Sequence, residues 1–308
     1  MPRFSNSLIE IPKTKETVKR KRNWSEKSRI EFIRMGGLGD ILLCTPVIKA
    51  LKKTFSYPIT FVTSPTYFPL LDGNKDLERV TEEANPNSDS TMVLDLRNEL
   101  ENYSIRRNRQ HRIDSIAEFC GVHIDNYKIV LPAYQKEIPK AQKFLKKIKN
   151  SCLIGLAPRS AFRLRSWIET YVRDLVELLP DYQFLIFGSN LWYSFPHSRV
   201  KSIVGVGLLQ LIAFISLCDY FITTDNGLLH IAGALDIPTV ALFGSLPPEW
   251  RIKYYPNMVP LVSNVKCVPC IEWQSGSEED RYYCINVDTR CMREIRPEMV
   301  VKKLEEFF

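Results

Sequence analysis

Residues 220–230 read YFITTDNGLLH, an apolar run that enters a polar turn and leaves it as a second apolar run. The first run, Tyr220 to Thr223, is typical of a buried strand, and residues Leu228 to Leu235 form a helix pattern. The turn between them contains a hydroxyl, a carboxylate, an amide and a glycine: Thr224, Asp225, Asn226 and Gly227. Free backbone N–H groups at such a helix start would suit a diphosphate, whereas the polar side chains alone would make a structural cap. The unit predicts an α/β protein.

The same alternation of strand-like runs and helical stripes continues along the chain. Further strands are predicted at residues 30–33, 59–62, 92–96, 153–157, 184–187, 200–204 and 239–243. Further helices are predicted at residues 43–51, 110–120, 138–148, 170–179, 208–217 and 297–308, with Pro46 at the start or at a bend of the first of these. Repeated β-α-β units make parallel sheets covered by helices. The sequence therefore predicts two Rossmann-like domains with a ligand cleft at the strand carboxyl ends.

Composition and the restart of the alternation divide the chain into three parts. We predict a flexible basic leader at residues 1–29, a first domain with its linker helix at residues 30–149, and a second domain at residues 150–308. A chain of 308 residues with 45% hydrophobic and 25% charged residues is expected to fold as globular domains. No apolar run approaches the roughly 20 residues of a membrane span, and no secretory h-region is visible, so a cytoplasmic location is expected.

The net charge of +7 lies partly in the leader. The leader is expected to be either a solvated tail or a patch for an anionic surface, which would be phospholipid headgroups, a phosphorylated acceptor or nucleic acid. Peripheral contact with an anionic membrane is one form of the second alternative.

A glycine-rich turn, RMGGLGD at residues 34–40, follows the first strand. Its spacing is neither a dinucleotide-binding fingerprint nor a P-loop. Asp40 either caps the next helix or presents its carboxylate to the cleft as a general base. The glycines that would let a ligand approach the backbone are Gly36, Gly37 and Gly39.

Other polar groups follow strands of the second domain. Residues 157–167, APRSAFRLRSW, place Ser160 and three arginines after one strand, either as a solvated loop or as an anion site. Gly188 follows another strand and is expected to border the same cleft. His230 lies one helical turn beyond the polar turn, where it either packs or reaches the mouth of the cleft.

Cysteines are clustered near the end of the second domain. Cys267, Cys270, Cys284 and Cys291 have the spacing C-x2-C-x13-C-x6-C. Four thiolates with one C-x-x-C pair suit a tetrahedral structural metal, most often zinc, with iron as an alternative; free or redox-active thiols are the other interpretation. A metal at residues 267–291 would hold an acid-rich loop that contains Glu278, Glu279 and Asp280.

Together, GGLGD at residues 36–40 and TDNGLLH followed by IAGALDIPTVALFG at residues 224–244 resemble the family 9 glycosyltransferases, the ADP-heptose:lipopolysaccharide heptosyltransferases and their relatives. The resemblance covers roughly residues 30–300. It implies a GT-B fold, with two parallel sheets facing across a cleft, and an inverting transfer without a catalytic metal. Some members of the family carry a similar cysteine segment, with iron bound in certain heptosyltransferases of autotransporters.

The resemblance also implies roles for individual residues. Asp40 matches the catalytic base, and Arg165 occupies the place of a phosphate-binding lysine. Ser160 and Ala161 fall in the phosphate loop, and the nucleotide-sugar motif is matched by Asp225, Asn226, Gly227 and His230. The expected partners are a nucleotide-sugar donor, with ADP-heptose as the best match, and a glycan or protein acceptor; a homo-oligomer is an open alternative.

Two other functions stay open from the sequence. The arginine at position 165 and the segment after Gly188, which lacks the family's usual glutamate, leave room for a transferase with a different nucleotide sugar. A non-catalytic nucleic-acid-binding protein with a four-cysteine zinc site is the alternative from another class. It would bind DNA or RNA in a salt-sensitive way and would have no affinity for sugar nucleotides.

Overall fold

A computed structural model describes residues 27–85, 90–97, 110–146, 152–188, 195–270, 284, 286 and 288–307. Most of the predicted basic leader, the end of the predicted helix 138–148 and the acid-rich loop at residues 278–280 lie outside these ranges. The described part of residues 27–146 forms the first half of the molecule, and the described part of residues 152–307 forms the second half.

The first half contains a four-stranded parallel sheet in the order β3-β2-β1-β4. Its strands are β1 (Arg29–Ile33), β2 (Ile59–Val62), β3 (Arg79–Thr81) and β4 (Thr91–Asp95). Its helices are α1 (Leu38–Leu42), α2 (Thr45–Phe55), α3 (Phe68–Leu71), α4 (Arg112–Cys120) and α5 (Ile138–Leu145). Every residue of β2 is buried, as expected for a strand covered on both faces.

The second half contains a six-stranded parallel sheet in the order β10-β9-β8-β5-β6-β7. Its strands are β5 (Leu153–Ala157), β6 (Gln183–Phe187), β7 (Val200–Ile203), β8 (Tyr220–Thr224), β9 (Thr239–Phe243) and β10 (Met258–Val262). Its helices are α6 (Glu169–Leu178), α7 (Leu208–Ile215), α8 (Gly227–Ala234), α9 (Glu249–Ile252), α10 (Arg290–Glu294) and α11 (Pro297–Leu304). The strand order reverses between β5 and β8, which is where α/β sheets open a crevice for ligands.

The predicted helix at residues 43–51 is α2, which begins at Thr45 with Pro46 in its first turn, and the structure adds a separate short helix, α1, before it. The sequence predicted β4 and β7, which each form one edge of their sheets, but it missed β3 and β10 at the opposite edges. β3 has only three residues, none of them fully buried, and Pro260 interrupts β10, so neither shows the pattern of a central strand.

The two halves pack directly on each other. Helix α1 of the first half packs on α8 of the second, and both α3 and α5 pack on α7. Buried side chains form one continuous apolar cluster that includes Phe32 and Ile48 of the first half as well as Phe214 and Leu229 of the second. None of the helices that the structure describes is long and apolar enough to cross a membrane.

Candidate active site

The glycine-rich turn after β1 places Asp40 beside the contact between the two halves. Gly36 has a φ of +146°, a conformation that favours glycine, and it lets the chain turn into α1. The Gly37 N–H donates to Asp40 Oδ2 at 3.0 Å, so Asp40 caps the helix start. Arg34, which is buried, donates from Nη2 to Asp40 Oδ1 at 2.8 Å and from Nη1 to the Leu96 carbonyl at 3.1 Å. Both carboxylate oxygens are therefore oriented from within the first half.

The charge around Asp40 keeps its carboxylate ionised. Burial raises the pKa of Asp40, but the nearby charges of Arg34 and Arg112, together with the hydrogen bonds from Arg34 and Gly37, lower it below its ordinary value. The Asp40 side chain is still 31% exposed, whereas that of Arg34 is 3% exposed. Oδ1 accepts a hydrogen bond from Arg34 and Oδ2 accepts one from Gly37, and a carboxylate oxygen can accept two. Capping and availability to a ligand, the two interpretations of Asp40, are thus compatible.

In the polar turn after β8, Asp225 is buried between two arginines. Arg165 Nη1 donates to Asp225 Oδ2 at 2.6 Å, and Arg251 Nε donates to Asp225 Oδ1 at 3.2 Å. Burial raises the pKa of Asp225, but the charges of Arg165 and Arg251 lower it far below the ordinary value. Because the group carries two cations and one anion, it retains one positive charge. Its two arginine side chains are 19% and 16% exposed, respectively.

Asn226 caps the start of α8, which is one of the two alternatives that the sequence left open. Its Oδ1 accepts hydrogen bonds from the N–H groups of Leu228 at 2.8 Å and Leu229 at 3.4 Å. Its Nδ2 donates to the carbonyls of Ala157 and Arg159, which follow the neighbouring strand β5. The capped turn therefore joins the ends of β5 and β8 instead of leaving the whole first turn free for an anion.

His230 is a buried residue of α8 rather than an exposed one. Its Nδ1 lies 2.7 Å from the hydroxyl of Tyr255, which is also buried. Burial and the charge of Arg251 lower the pKa of His230 to about 3, so its imidazole is neutral at neutral pH. The ring lies against the first half, since a β-carbon built on Gly39 would come within 2.7 Å of His230 Cδ2.

Gly39 and Gly227 bring the two motifs together. A β-carbon on Gly227 would lie 2.8 Å from Leu38 Cδ2 and 3.2 Å from the Gly39 nitrogen, and one on Gly39 would lie 3.5 Å from the Gly227 Cα. These distances show that α1 and α8 touch through their glycine backbones. Both glycines serve the close approach of the two halves, and Gly227 also borders the cleft described next.

A cleft of about 650 Å³ opens beside this contact, at the carboxyl ends of β5, β6, β7 and β8. Leu38 of the first half borders it, and the second half contributes Arg159, Ser160, Ala161, Phe187, Gly188, Ile203, Gly205, Val206, Leu211, Asn226, Gly227 and Leu228. Ser160 Oγ donates to the Asp225 carbonyl at 3.0 Å and so links the cleft wall to the buried ion group. Thr224 is fully buried at the end of β8.

The four clustered cysteines lie apart from this cleft, and each is a free thiol. Cys270 and Cys291 are buried, and Cys267 and Cys284 are half-buried. Burial raises the pKa of Cys270 to about 11, with a smaller contribution from the charges of Cys267 and Cys284. Burial likewise raises the pKa of Cys291 to about 12, with a smaller contribution from the charge of Cys270. The thiols therefore influence one another, although no three His, Cys, Asp or Glu side chains of the described residues are arranged to hold a metal ion.

Sequence reasoning missed three residues that organise the site. Arg34 and Arg251 hold the two carboxylates, and Tyr255 holds His230. Arg34 belongs to the glycine-rich turn, and its position as a cation six residues before Asp40 was a usable signal. Arg251 and Tyr255 lie in the segment between β9 and β10, where no strand or helix pattern drew attention to them.

Known proteins share sequence similarity with this chain. The model of Glycosyltransferase family 9 (heptosyltransferase) matches residues 196–280. Lipooligosaccharide heptosyltransferase 2 of Haemophilus influenzae is 26% identical in an alignment 198 residues long, which covers 58% of this chain and 54% of that protein. The chain resembles the family 9 glycosyltransferases. The matched region spans about half the length of that curated relative.

Solved structures show the fold. The glycosyltransferase family 9 protein of Veillonella parvula superposes with a TM-score of 0.67 at 17% identity, covering 91% of this chain and 96% of that one. The dodecameric iron-containing heptosyltransferase TibC, in complex with ADP-D-β-D-heptose, superposes with a TM-score of 0.67 at 17% identity, covering 91% and 77%. The fold is GT-B, as the resemblance implied.

Proposed function

We propose that the chain is an inverting glycosyltransferase that moves a sugar from a nucleotide-sugar donor to an acceptor hydroxyl. One observation carries the proposal. Asp40, with its ionised carboxylate, belongs to α1. The residue before it, Gly39, contacts Gly227 in the turn that borders the 650 Å³ cleft. A base from one half and a ligand cleft from the other are the two parts that transfer between bound substrates requires.

Asp40 is proposed to act as the general base. As the acceptor oxygen attacks the anomeric carbon of the sugar, Asp40 takes the hydroxyl proton, and the bond from the anomeric carbon to the diphosphate oxygen breaks with its electron pair on that oxygen. Attack from the face opposite the diphosphate inverts the carbon. The low pKa keeps Asp40 deprotonated at neutral pH, and Arg34 and Gly37 fix its orientation.

The second half is proposed to bind the donor. The cleft has apolar walls from Phe187, Ile203 and Val206 that suit a nucleobase, and Ser160 and Gly188 border the same space. The positive charge retained by Arg165, Asp225 and Arg251 would stabilise the departing diphosphate in the way that a metal ion does in other transferases. The transfer is therefore proposed to need no catalytic metal.

ADP-heptose is the proposed donor, and a lipopolysaccharide-type glycan is the proposed acceptor. The support is that the relative from Haemophilus influenzae is named a lipooligosaccharide heptosyltransferase and that TibC was solved with ADP-D-β-D-heptose. A protein hydroxyl is the alternative acceptor, and another nucleotide sugar is the alternative donor, which the experiment below separates from ADP-heptose.

The experiment combines donor binding with transfer. Calorimetry with ADP, UDP and GDP should give measurable affinity for ADP and much weaker affinity for the other two, and ADP-heptose should release ADP only when a heptose-deficient lipopolysaccharide acceptor is added. Preference for UDP or GDP would move the proposal to another nucleotide sugar. Salt-sensitive binding of DNA without affinity for any of these nucleotides would support the nucleic-acid-binding alternative instead.

A structural metal is proposed at the cysteine cluster, held by Cys267, Cys270, Cys284 and Cys291. The support is the C-x2-C-x13-C-x6-C spacing of four free thiols, of which Cys270 and Cys291 are buried. Because no three side chains among the described residues are arranged to hold an ion, the thiols would have to draw together around it. Zinc or iron would fit this donor set, and its role would be to hold the surrounding segment in place. No step of the transfer passes through it.

Metal analysis of the purified chain tests this site. About one zinc or iron ion per chain is expected, and Cys270→Ser should lose most of it. Cys152→Ser is the matched control, because Cys152 is a half-buried thiol of the same half outside the cluster. Equal metal content in the two variants, or none in the unmodified chain, would contradict the proposal.

Self-association and membrane contact are also proposals. TibC is described as dodecameric, which supports a homo-oligomer, and light scattering of the purified chain would measure its mass. Contact of the basic leader with an anionic membrane at the cytoplasmic face rests on its charge alone, and vesicles with and without anionic lipid would test it.

A further inference from the structure

The segment Glu249–Tyr255, here called the clasp, lies between the two halves. On the side of the first half, the Tyr254 hydroxyl donates to the Asp114 carboxylate and lies 2.8 and 2.9 Å from its two oxygens. Lys253 Nζ lies 3.2 Å from the same carboxylate. The Tyr254 ring also stacks on Tyr127 with 3.7 Å between the ring centroids. Although it belongs to the second half, the clasp is thus anchored to the first.

A buried histidine adds a backbone contact to this anchor. The N–H of Ile113 donates to His111 Nδ1 at 3.2 Å, which leaves the proton of the neutral ring on Nε2. His111 Nε2 then donates to the carbonyl of Arg251 at 3.0 Å. Since His111 is fully buried, water cannot replace this bond, and the backbone of Arg251 is held by the first half.

The other side of the clasp contacts the turn after β8. The Arg251 side chain donates to Asp225, and the Tyr255 hydroxyl bonds to His230. Asp225 is joined through its carbonyl to Ser160, and the next residue, Asn226, is joined to the end of β5. A shift of Arg251 would therefore be passed to the cleft wall through hydrogen bonds that are already formed.

We propose that Arg251 is a positioning residue for the donor turn, residues 223–229, and that the first half keeps it in place through His111 and Asp114. This inference rests on the proposed function. Asp225 is a buried anion that needs both arginines, so removal of Arg251 leaves it incompletely paired. Docking of the two halves and order of the donor turn then become one coupled event.

The experiment perturbs the first half and observes the second. Asp114→Ala removes the clasp's anchor, and Asp125→Ala is the matched control, because it removes an exposed ion pair with Lys53 elsewhere in the first half. Amide hydrogen exchange is measured on the nucleotide-free chain, in peptides that cover residues 223–229 and, as a check on folding, residues 183–187. Asp114→Ala should accelerate exchange at residues 223–229 at least about fivefold, and Asp125→Ala should leave it unchanged.

Variants at Arg251 complete the test. Arg251→Gln should accelerate exchange at residues 223–229 and weaken ADP binding at least about fivefold, and Arg251→Lys should recover part of both because a cation returns beside Asp225. Tyr254→Phe, which keeps the ring stacked on Tyr127, is the milder variant if Asp114→Ala does not fold. The inference would be overturned if exchange at residues 223–229 is unchanged both in Arg251→Gln and in Asp114→Ala. Tyr254→Phe takes the place of Asp114→Ala in this comparison if the latter does not fold.

A failure of the proposed function can be distinguished from a failure of this inference. If the unmodified chain binds no nucleotide diphosphate, the donor assignment is wrong, whereas exchange in the nucleotide-free variants still decides whether Arg251 and the first half hold the turn.

Discussion

Gly39→Ala is the substitution that best tests how the two halves meet. The added methyl would lie 2.7 Å from His230 Cδ2, 3.3 Å from its Nε2 and 3.5 Å from the Gly227 Cα. Carbon atoms in ordinary contact are about 3.5–4.0 Å apart, so either the ring or the whole of α1 must move by about 1 Å. The ring cannot turn away freely, because it is buried and bonded to Tyr255 at 2.7 Å.

The magnitude follows from two opposing effects. Inserting a methyl group into a packed contact destabilises a protein by about 1–3 kcal/mol, and the upper part of that range applies where the neighbour is a fixed ring with backbone behind it. Alanine in place of glycine in a helix contributes about 1 kcal/mol in the other direction. We expect a net loss of about 1–2 kcal/mol in the free energy of unfolding. A misplacement of about 1 Å between Asp40 and the donor cleft should slow turnover by about 100-fold.

The assay measures denaturant unfolding and the rate of ADP release from ADP-heptose with acceptor. Gly207→Ala is the control, because Gly207 lies at the start of a helix as Gly39 does, has an ordinary φ of −68° and has open space where the β-carbon would go. Gly39→Ala combined with His230→Ala should lose less stability than the sum of the two single changes, since the small side chain removes the clash. If Gly39→Ala behaves like Gly207→Ala in both measurements, the contact between the halves does not require glycine.

Three further outcomes are expected. Asp40→Asn should lower turnover by about 10²–10⁴-fold at unchanged ADP affinity, and a smaller loss would contradict its role as base. Acidification from pH 7 to pH 5 should destabilise the fold by about 2 kcal/mol for each of His111 and His230. Their pKa values in the folded protein are lowered to about 4 and about 3, so the unfolded chain takes up their protons first. In a pH series of denaturant melts, His111→Asn, which keeps the helix cap, should remove about half of the effect. Arg165→Leu should destabilise the fold by on the order of 3 kcal/mol and Arg165→Lys by clearly less, because Asp225 stays buried with one cation; equal thermal melts for the two variants would argue against that pairing.

The central strands were predictable from the sequence, whereas among the edge strands β4 and β7 were predicted and β3 and β10 were not. The residues of β5 and β9 are buried throughout, so each shows as an unbroken apolar run. The edge strand β10 has Pro260 within it and residues that are only partly covered. A proline lacks the N–H for a ladder hydrogen bond, which an edge position tolerates and which weakens the sequence signal.

The candidate site was predictable as a set of polar residues after strands, because side chains at strand carboxyl ends converge whatever the rest of the sheet does. Asp40, Ser160, Arg165 and Asp225 were identified in this way. Arg251, the second partner of Asp225, was not predictable, since it follows Asp225 by 26 residues and meets it only because β9 and α9 return the chain to the turn.

The sequence by itself determined the α/β alternation, the two parallel sheets and the residues at their carboxyl ends, because these depend on local periodicity and on turn chemistry. Only the tertiary structure decided that Gly39 and Gly227 are in contact, that Asn226 caps its own helix and that Asp225 is neutralised by two arginines. These facts depend on the distance between groups that are far apart in the chain. That distance is set when the two halves bury a common apolar surface, and no local pattern records it.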